Sequence, residues 1–124
     1  MRTFPYKHSD SNYIPTMPVR VLSTTIRKQK KIQFRLDTGA DITVIPIDIL
    51  DVLEAAPHRL ITIRDYDSNI ISTSLYIVNV AVNQLVFESV YVVPSLSGNA
   101  LLGLDIINRL DLTLSGSTRT LILH

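Results

Sequence analysis

The chain has 124 residues, a formal net charge of +1, 46% apolar residues and no cysteine. That length suits one compact domain, and that apolar share builds a core without cross-links. The missing cysteine excludes disulfides and thiolate chemistry, and the near-neutral charge gives no footprint for nucleic acid.

Three histidines remain, at positions 8, 58 and 124, and their spacing fits no metal site. No metal and no cofactor is therefore expected. No stretch approaches the roughly 20 apolar residues that span a bilayer, so no membrane partner is expected. The opening MRTFPYKHSDSNYIP has no apolar run of the kind a secretion signal carries. A reducing, cytoplasmic setting fits these features.

Residues 1–16 are polar, contain Pro5 and Pro15, and show no periodicity. They read as an N-terminal arm, loose or pinned by a partner, and 17–124 as the folded domain. Val19 to Ile26 is rich in β-branched residues and predicts a strand. Arg27 to Lys31 reads as a basic, solvated turn. A second strand, Ile32 to Leu36, runs straight into Asp37-Thr38-Gly39-Ala40-Asp41.

Ile42 to Ile45 predicts another strand, stopped by Pro46, and Ile47 to Leu53 a short helix. Leu60 to Arg64 and Ile70 to Val78 are apolar runs around a polar tip, Asp65-Tyr66-Asp67-Ser68-Asn69. Val80 to Val82 and Leu85 to Val93 pair across Asn83-Gln84, and Pro94 to Asn99 is a loop. Ala100-Leu101-Leu102-Gly103 leads into a helix over Leu104 to Leu110. Two strands, Asp111 to Leu114 and Arg119 to Leu123, close the chain. Many short strands with turns at about 8–12-residue spacing predict a sandwich or barrel.

The chemistry concentrates at Asp37. A carboxylate between two apolar strands is costly unless something holds it. Gly39 permits a tight turn, and the Thr38 hydroxyl can bond across a narrow gap. The segment thus presents an acid at a strand end, on a loop anchored from both sides. Hydrolysis by carboxylates needs two of them, sharing one proton. The chain holds only one Asp-Thr-Gly; Asp41 leads into Ile-Thr and Asp10 into Ser-Asn. Activity would therefore require Asp37 to meet its own copy across a two-fold axis. Taken alone, the tripeptide reads more readily as an ordinary turn.

A second glycine signature, Leu101-Leu102-Gly103-Leu104-Asp105, follows 64 residues after Gly39. Glycine after an apolar pair allows backbone to approach backbone closely. Asp105 is placed to cap the following helix or to favour its positive end. A strand packed on a helix is the plainer reading.

The pair of motifs, Leu36-Asp37-Thr38-Gly39-Ala40-Asp41 and then Leu101-Leu102-Gly103-Leu104-Asp105, resembles the retropepsin family. These are the aspartic proteases of retroviruses and retroelements, with small cellular and prokaryotic relatives. The resemblance covers roughly residues 19–123, and the tail Asn108 to Leu114 looks more like the prokaryotic and cellular members.

The resemblance implies an all-β fold: a closed, mostly antiparallel acid-protease barrel with one short C-terminal helix. It implies an endopeptidase active as a homodimer on extended peptide, with Asp37 catalytic in each subunit. Thr38 and Gly39 would bond across the dimer and hold the two loops together. Gly39, Ala40 and Asp41 would meet the substrate main chain. The hairpin from Leu60 to Tyr76 would be a flap closing over substrate, with Asp65, Tyr66, Asp67 and Ser68 at its tip. Leu102, Gly103 and Asp105 would form a structural glycine motif.

Two departures stand out. Viral members carry a glycine-rich flap tip, and here the tip has no glycine. Tyr66 either covers the site or is a surface aromatic. Viral members also carry Arg after the second glycine, where this chain has Leu104. A silent peptide-binding module with the same fold is the alternative function. The alternation in Thr118 to His124 suits a strand at the dimer interface.

Overall fold

The computed structural model describes residues 1–64 and 67–124. Four strands open the chain: β1 (Arg2–Pro5), β2 (Lys7–Ser9), β3 (Asn12–Ile14) and β4 (Thr16–Leu22). Then follow β5 (Gln29–Leu36), β6 (Val44–Pro46), α1 (Ile47–Val52), β7 (Ala56–Arg64) and β8 (Ile70–Val82). The chain ends with β9 (Leu85–Ser95), β10 (Leu101–Leu102), α2 (Leu104–Ile107), β11 (Leu112–Ser115) and β12 (Thr120–Leu123).

The main sheet runs β4-β5-β10-β6-β9-β8-β7. Strand β8 is long enough to serve two partners along one edge. Its first half pairs with β7, and Asn79 to Ala81 pair with β4. The ladder that starts at β4 therefore returns to β4. Among the described residues only β5–β10 and β6–β9 pair in parallel. The architecture is thus all-β and mostly antiparallel, as the sequence predicts.

Alternation explains which residues fill the interior. Met17, Val19 and Val21 of β4 are buried, as are Val78, Val80 and Val82 of β8. Phe34 of β5, Ile45 of β6 and Leu102 of β10 meet them in one core. Successive strand residues point to opposite faces, so period-two apolar runs line one side.

Two short helices are present where the resemblance implies one. Pro46 ends β6 and stands at the N-terminus of α1, whose Leu50 is buried, with Leu53 buried just beyond it. The second helix, α2, is shorter than the sequence predicts. Beyond Ile107 the chain tightens, with Arg109 N–H bonding the Ile106 carbonyl and Leu110 N–H the Ile107 carbonyl. The basic turn also differs: Lys30 and Lys31 lie within β5, and the connection spans 23–28.

The N-terminal residues form strands where the sequence reading has an arm. β1 pairs antiparallel with β12, Phe4 facing Leu121. Phe4 joins the core, and burying such a side chain contributes about 1.5–3 kcal/mol. β2 and β3 form a tight hairpin, with Asp10 in the left-handed region at its turn (φ 53). Single strands of three or four residues carry too little pattern to be seen, and here the pairing supplies the order.

The terminal sheet has the order β1-β12-β11. Both edges of β12 are thus occupied within the chain. Leu121 and Leu123 of β12 are buried. A deletion of Leu121 to His124 would strip the core, so it does not test dimer contacts in isolation. A second copy would have to meet this sheet at β1, at β11 or on its exposed face, where Leu114 stands out.

Candidate active site

Strand β5 delivers Asp37. Three backbone bonds carry it there: Arg35 N–H to the Ala100 carbonyl (2.9 Å), Leu36 N–H to Pro15 (3.0 Å) and Asp37 N–H to Leu102 (3.0 Å). The parallel ladder with β10 thus continues through Asp37. The chain then turns, with Ala40 N–H reaching the Asp37 carbonyl at 3.2 Å. Asp37 is half-buried, while Thr38, Gly39 and Asp41 are exposed.

The Asp37 carboxylate accepts the Gly39 N–H through Oδ1 at 2.9 Å. A Cβ built at Gly39 would lie 3.2 Å from that same oxygen. Gly39 does not have positive φ; among the described glycines only Gly98 does. The sequence argument from backbone freedom is therefore corrected. Glycine suits this position because a side chain would crowd the carboxylate.

The second motif grips this loop from behind. Leu104 N–H donates to the Ala40 carbonyl at 2.8 Å, and Asp105 N–H to Asp41 at 3.3 Å. Gly103 lies against the loop backbone. A Cβ there would sit 2.8 Å from Ile42 C, 2.9 Å from Ala40 O and 2.9 Å from Thr43 N. Those atoms are backbone, so none can swing aside. Gly103 has φ −90, an ordinary value, so space alone dictates glycine.

Gly103, not Asp105, is the N-cap of α2, and it has no side chain to cap the helix with. The Asp105 carboxylate bonds within the first turn of α2 and across to Thr43. Oδ1 accepts the Thr43 hydroxyl at 2.8 Å, and Oδ2 accepts the Thr43 N–H at 3.2 Å. Oδ1 also accepts the Ile106 N–H at 3.0 Å. The Thr43 hydroxyl in turn accepts Gly103 N–H at 3.1 Å. Thr43 is fully buried, and its hydroxyl is both donor and acceptor.

Thr43 is the site residue that sequence reasoning missed. Its only local signal is a hydroxyl inside the apolar run Ile42 to Ile45. We expect Thr43→Val, which keeps shape but removes the hydroxyl, to destabilise the fold by about 1–3 kcal/mol. Chemical denaturation of the two proteins measures it; an unchanged midpoint would mean the link carries no stability.

The hairpin expected between Leu60 and Tyr76 is present. β7 and β8 form a hairpin that closes on the pair Arg64 and Ile70. Ser68, a non-glycine residue, takes positive φ (63) there. Arg64 Nη1 donates to the Ser68 carbonyl at 3.4 Å. Asp67 and Ser68 are exposed. The expectations for Asp65 and Tyr66 lie outside the described residues. Among the described residues no group of three or more His, Cys, Asp or Glu is placed to hold a metal ion. No helix among them is long and apolar enough to cross a membrane.

A β fold with an aspartate at a strand end, its loop backed by a glycine turn from a distant strand, defines a retropepsin-like class. Solved structures agree on the fold. The retropepsin-like aspartic protease from Rickettsia conorii matches with a TM-score of 0.63, at 17% identity over 98% of this chain and 90% of that one. EIAV protease, complexed with the inhibitor HBY-793, matches with a TM-score of 0.58, at 20% identity over 83% of this chain and 93% of that one. No curated protein matches the sequence. The family model described as "gag-polyprotein putative aspartyl protease" matches residues 22–109, a span that holds both loops. The chain belongs to this family of retropepsin-like aspartic proteases.

Proposed function

We propose that the chain is an aspartic endopeptidase whose reactive unit is two Asp37 side chains, one from each of two copies. The observation that supports this most is the clamped loop: Asp37 ends β5 with its carboxylate fixed by Gly39 N–H and its loop bolted to Gly103 and Asp105. A rigid support is what a positioned acid–base group needs. One carboxylate takes a proton from water as the other donates one to the scissile carbonyl. Two facing carboxylates hold one proton between them, so titration belongs to the pair.

Thr38, exposed beside Asp37, would lend its hydroxyl to the other copy's loop. Gly39, Ala40 and Asp41 would line the path of an extended peptide. The β7–β8 hairpin would close over it and exclude water. The reading predicts self-association. Activity per chain should fall on dilution, in step with the dimer fraction seen by sedimentation. Constant activity per chain down to concentrations at which only monomer sediments would exclude a shared dyad.

The pH profile follows from the shared proton. The rate should rise and then fall around an acidic to mildly acidic optimum. Hydrolysis that stays flat from about pH 4 to pH 9 would exclude a one-proton pair.

A further inference from the structure

We propose that Arg35 selects peptides that carry a carboxylate side chain beside the bond to be cut. The proposal rests on the protease reading, and it starts from the alternation of β5. Phe34 is buried and Leu36 half-buried, while Arg35 between them is exposed. The ladder bonds from Arg35 N–H to Ala100 and from Asp37 N–H to Leu102 continue one strand through Asp37. Residues two apart on a strand share a face. Arg35 and Asp37 therefore emerge on the same side, about 6–7 Å apart along the strand.

A cavity opens beside this strand end. It measures about 390 Å³, and Arg35 and Leu36 line it together with Asp10, Tyr13, Ile14 and Pro15 from the region of the β2–β3 hairpin. That volume falls within the range of small-ligand sites and accommodates one peptide side chain. The hairpin is fixed there. Pro15 accepts the Leu36 N–H, and Arg119 stacks on the Tyr13 ring at 3.6 Å. The wall facing Arg35 is thus a held surface.

A guanidinium presents a planar fork of donors that matches a carboxylate with two parallel bonds. An arginine two residues before the acid, on its face and at the mouth of a cavity, favours Glu or Asp in the bound peptide. Asp10 brings the opposite charge to the same cavity, from the hairpin turn and not from the strand that holds Asp37.

The test uses peptide pairs that differ by Glu against Gln at each position flanking the cut bond. Wild type should prefer Glu at one such position by about ten-fold or more in kcat/KM, the range of a charge-assisted bond. Arg35→Gln should bring that ratio close to one, Arg35→Lys should retain part of it, and Arg35→Glu should turn it below one. Asp10→Asn should leave the ratio at or above its wild-type value. Circular dichroism and sedimentation check that the variants fold and associate. A wild-type ratio near one, or a ratio unchanged in Arg35→Gln, overturns the proposal.

Binding of the same peptides to Asp37→Asn separates this from the protease reading. A Glu preference in binding, with no cleavage by wild type, removes the protease reading and upholds Arg35. Equal binding of Glu and Gln peptides overturns the role of Arg35 whether or not wild type cleaves.

Discussion

Asp37→Asn is expected to abolish peptide hydrolysis, by on the order of 10⁴-fold or more, while leaving the fold and the self-association in place. The asparagine keeps the shape of the side chain and an oxygen to accept Gly39 N–H, which now reaches Asp37 Oδ1 at 2.9 Å. What it loses is the capacity to share a proton. In a pair of asparagines nothing takes a proton from water. Cleavage of a peptide library by both proteins measures the loss, and circular dichroism checks the fold. Hydrolysis by the variant at the wild-type rate would place the chemistry elsewhere. Binding without cleavage by wild type would instead favour the silent peptide-binding module.

Gly103→Ala is expected to damage stability and activity together. Its methyl group would lie within 2.8–2.9 Å of backbone atoms of Ala40, Ile42 and Thr43. Overpacking of this kind costs about 1–3 kcal/mol, which lowers Tm by roughly 5–15 °C in a domain of this size. Relief comes only by moving the loop that carries Asp37. Peptide hydrolysis should therefore drop by more than the unfolded fraction accounts for. Thermal unfolding and kcat/KM on the folded protein measure the two effects. A variant with wild-type Tm and wild-type kcat/KM would show that the loop does not lean on Gly103.

Together the two substitutions divide the site into its parts. On the proposed reading Asp37 supplies the acid, and Gly103 supplies the space that lets a distant strand back the loop. Asp105 and Thr43 join these parts by hydrogen bonds that span 62 residues of sequence.

Much of this was legible in the sequence because the signals are local. The end of β5 shows as Ile32, Phe34 and Leu36 leading into Asp-Thr-Gly, and the second glycine shows as Leu-Leu-Gly before a helix. The β8–β9 turn was visible at Asn83, which does take positive φ (55). The strands merged where the pattern looked broken: Ile70 to Val82 is one strand, with an irregularity between Val78 and Val80. Asn79 at that point accepts Ser89 N–H through its side chain, so a polar residue sits inside the strand at no cost.

The rest was hidden because it is non-local. β1 is a strand because β12 lies beside it, more than a hundred residues later. The link from Thr43 to Asp105 is written in neither segment alone. The role of Gly39 was misjudged for a related reason. A sequence argument assigns glycine to backbone freedom, whereas here the constraint is a neighbouring carboxylate oxygen. The sequence reading gave Arg35 no role; its place on the face of Asp37 follows from the ladder bonds to Ala100 and Leu102.

The central claim is that two Asp37 carboxylates from two chains work as one unit. Mixing wild type with Asp37→Asn at fixed total concentration, under exchange, tests it most directly. If each dimer needs both acids, mixed dimers are inactive, and an equal mixture retains about a quarter of the wild-type activity. Activity that falls in simple proportion, to about half at equal amounts, would mean that one chain suffices and would contradict the account.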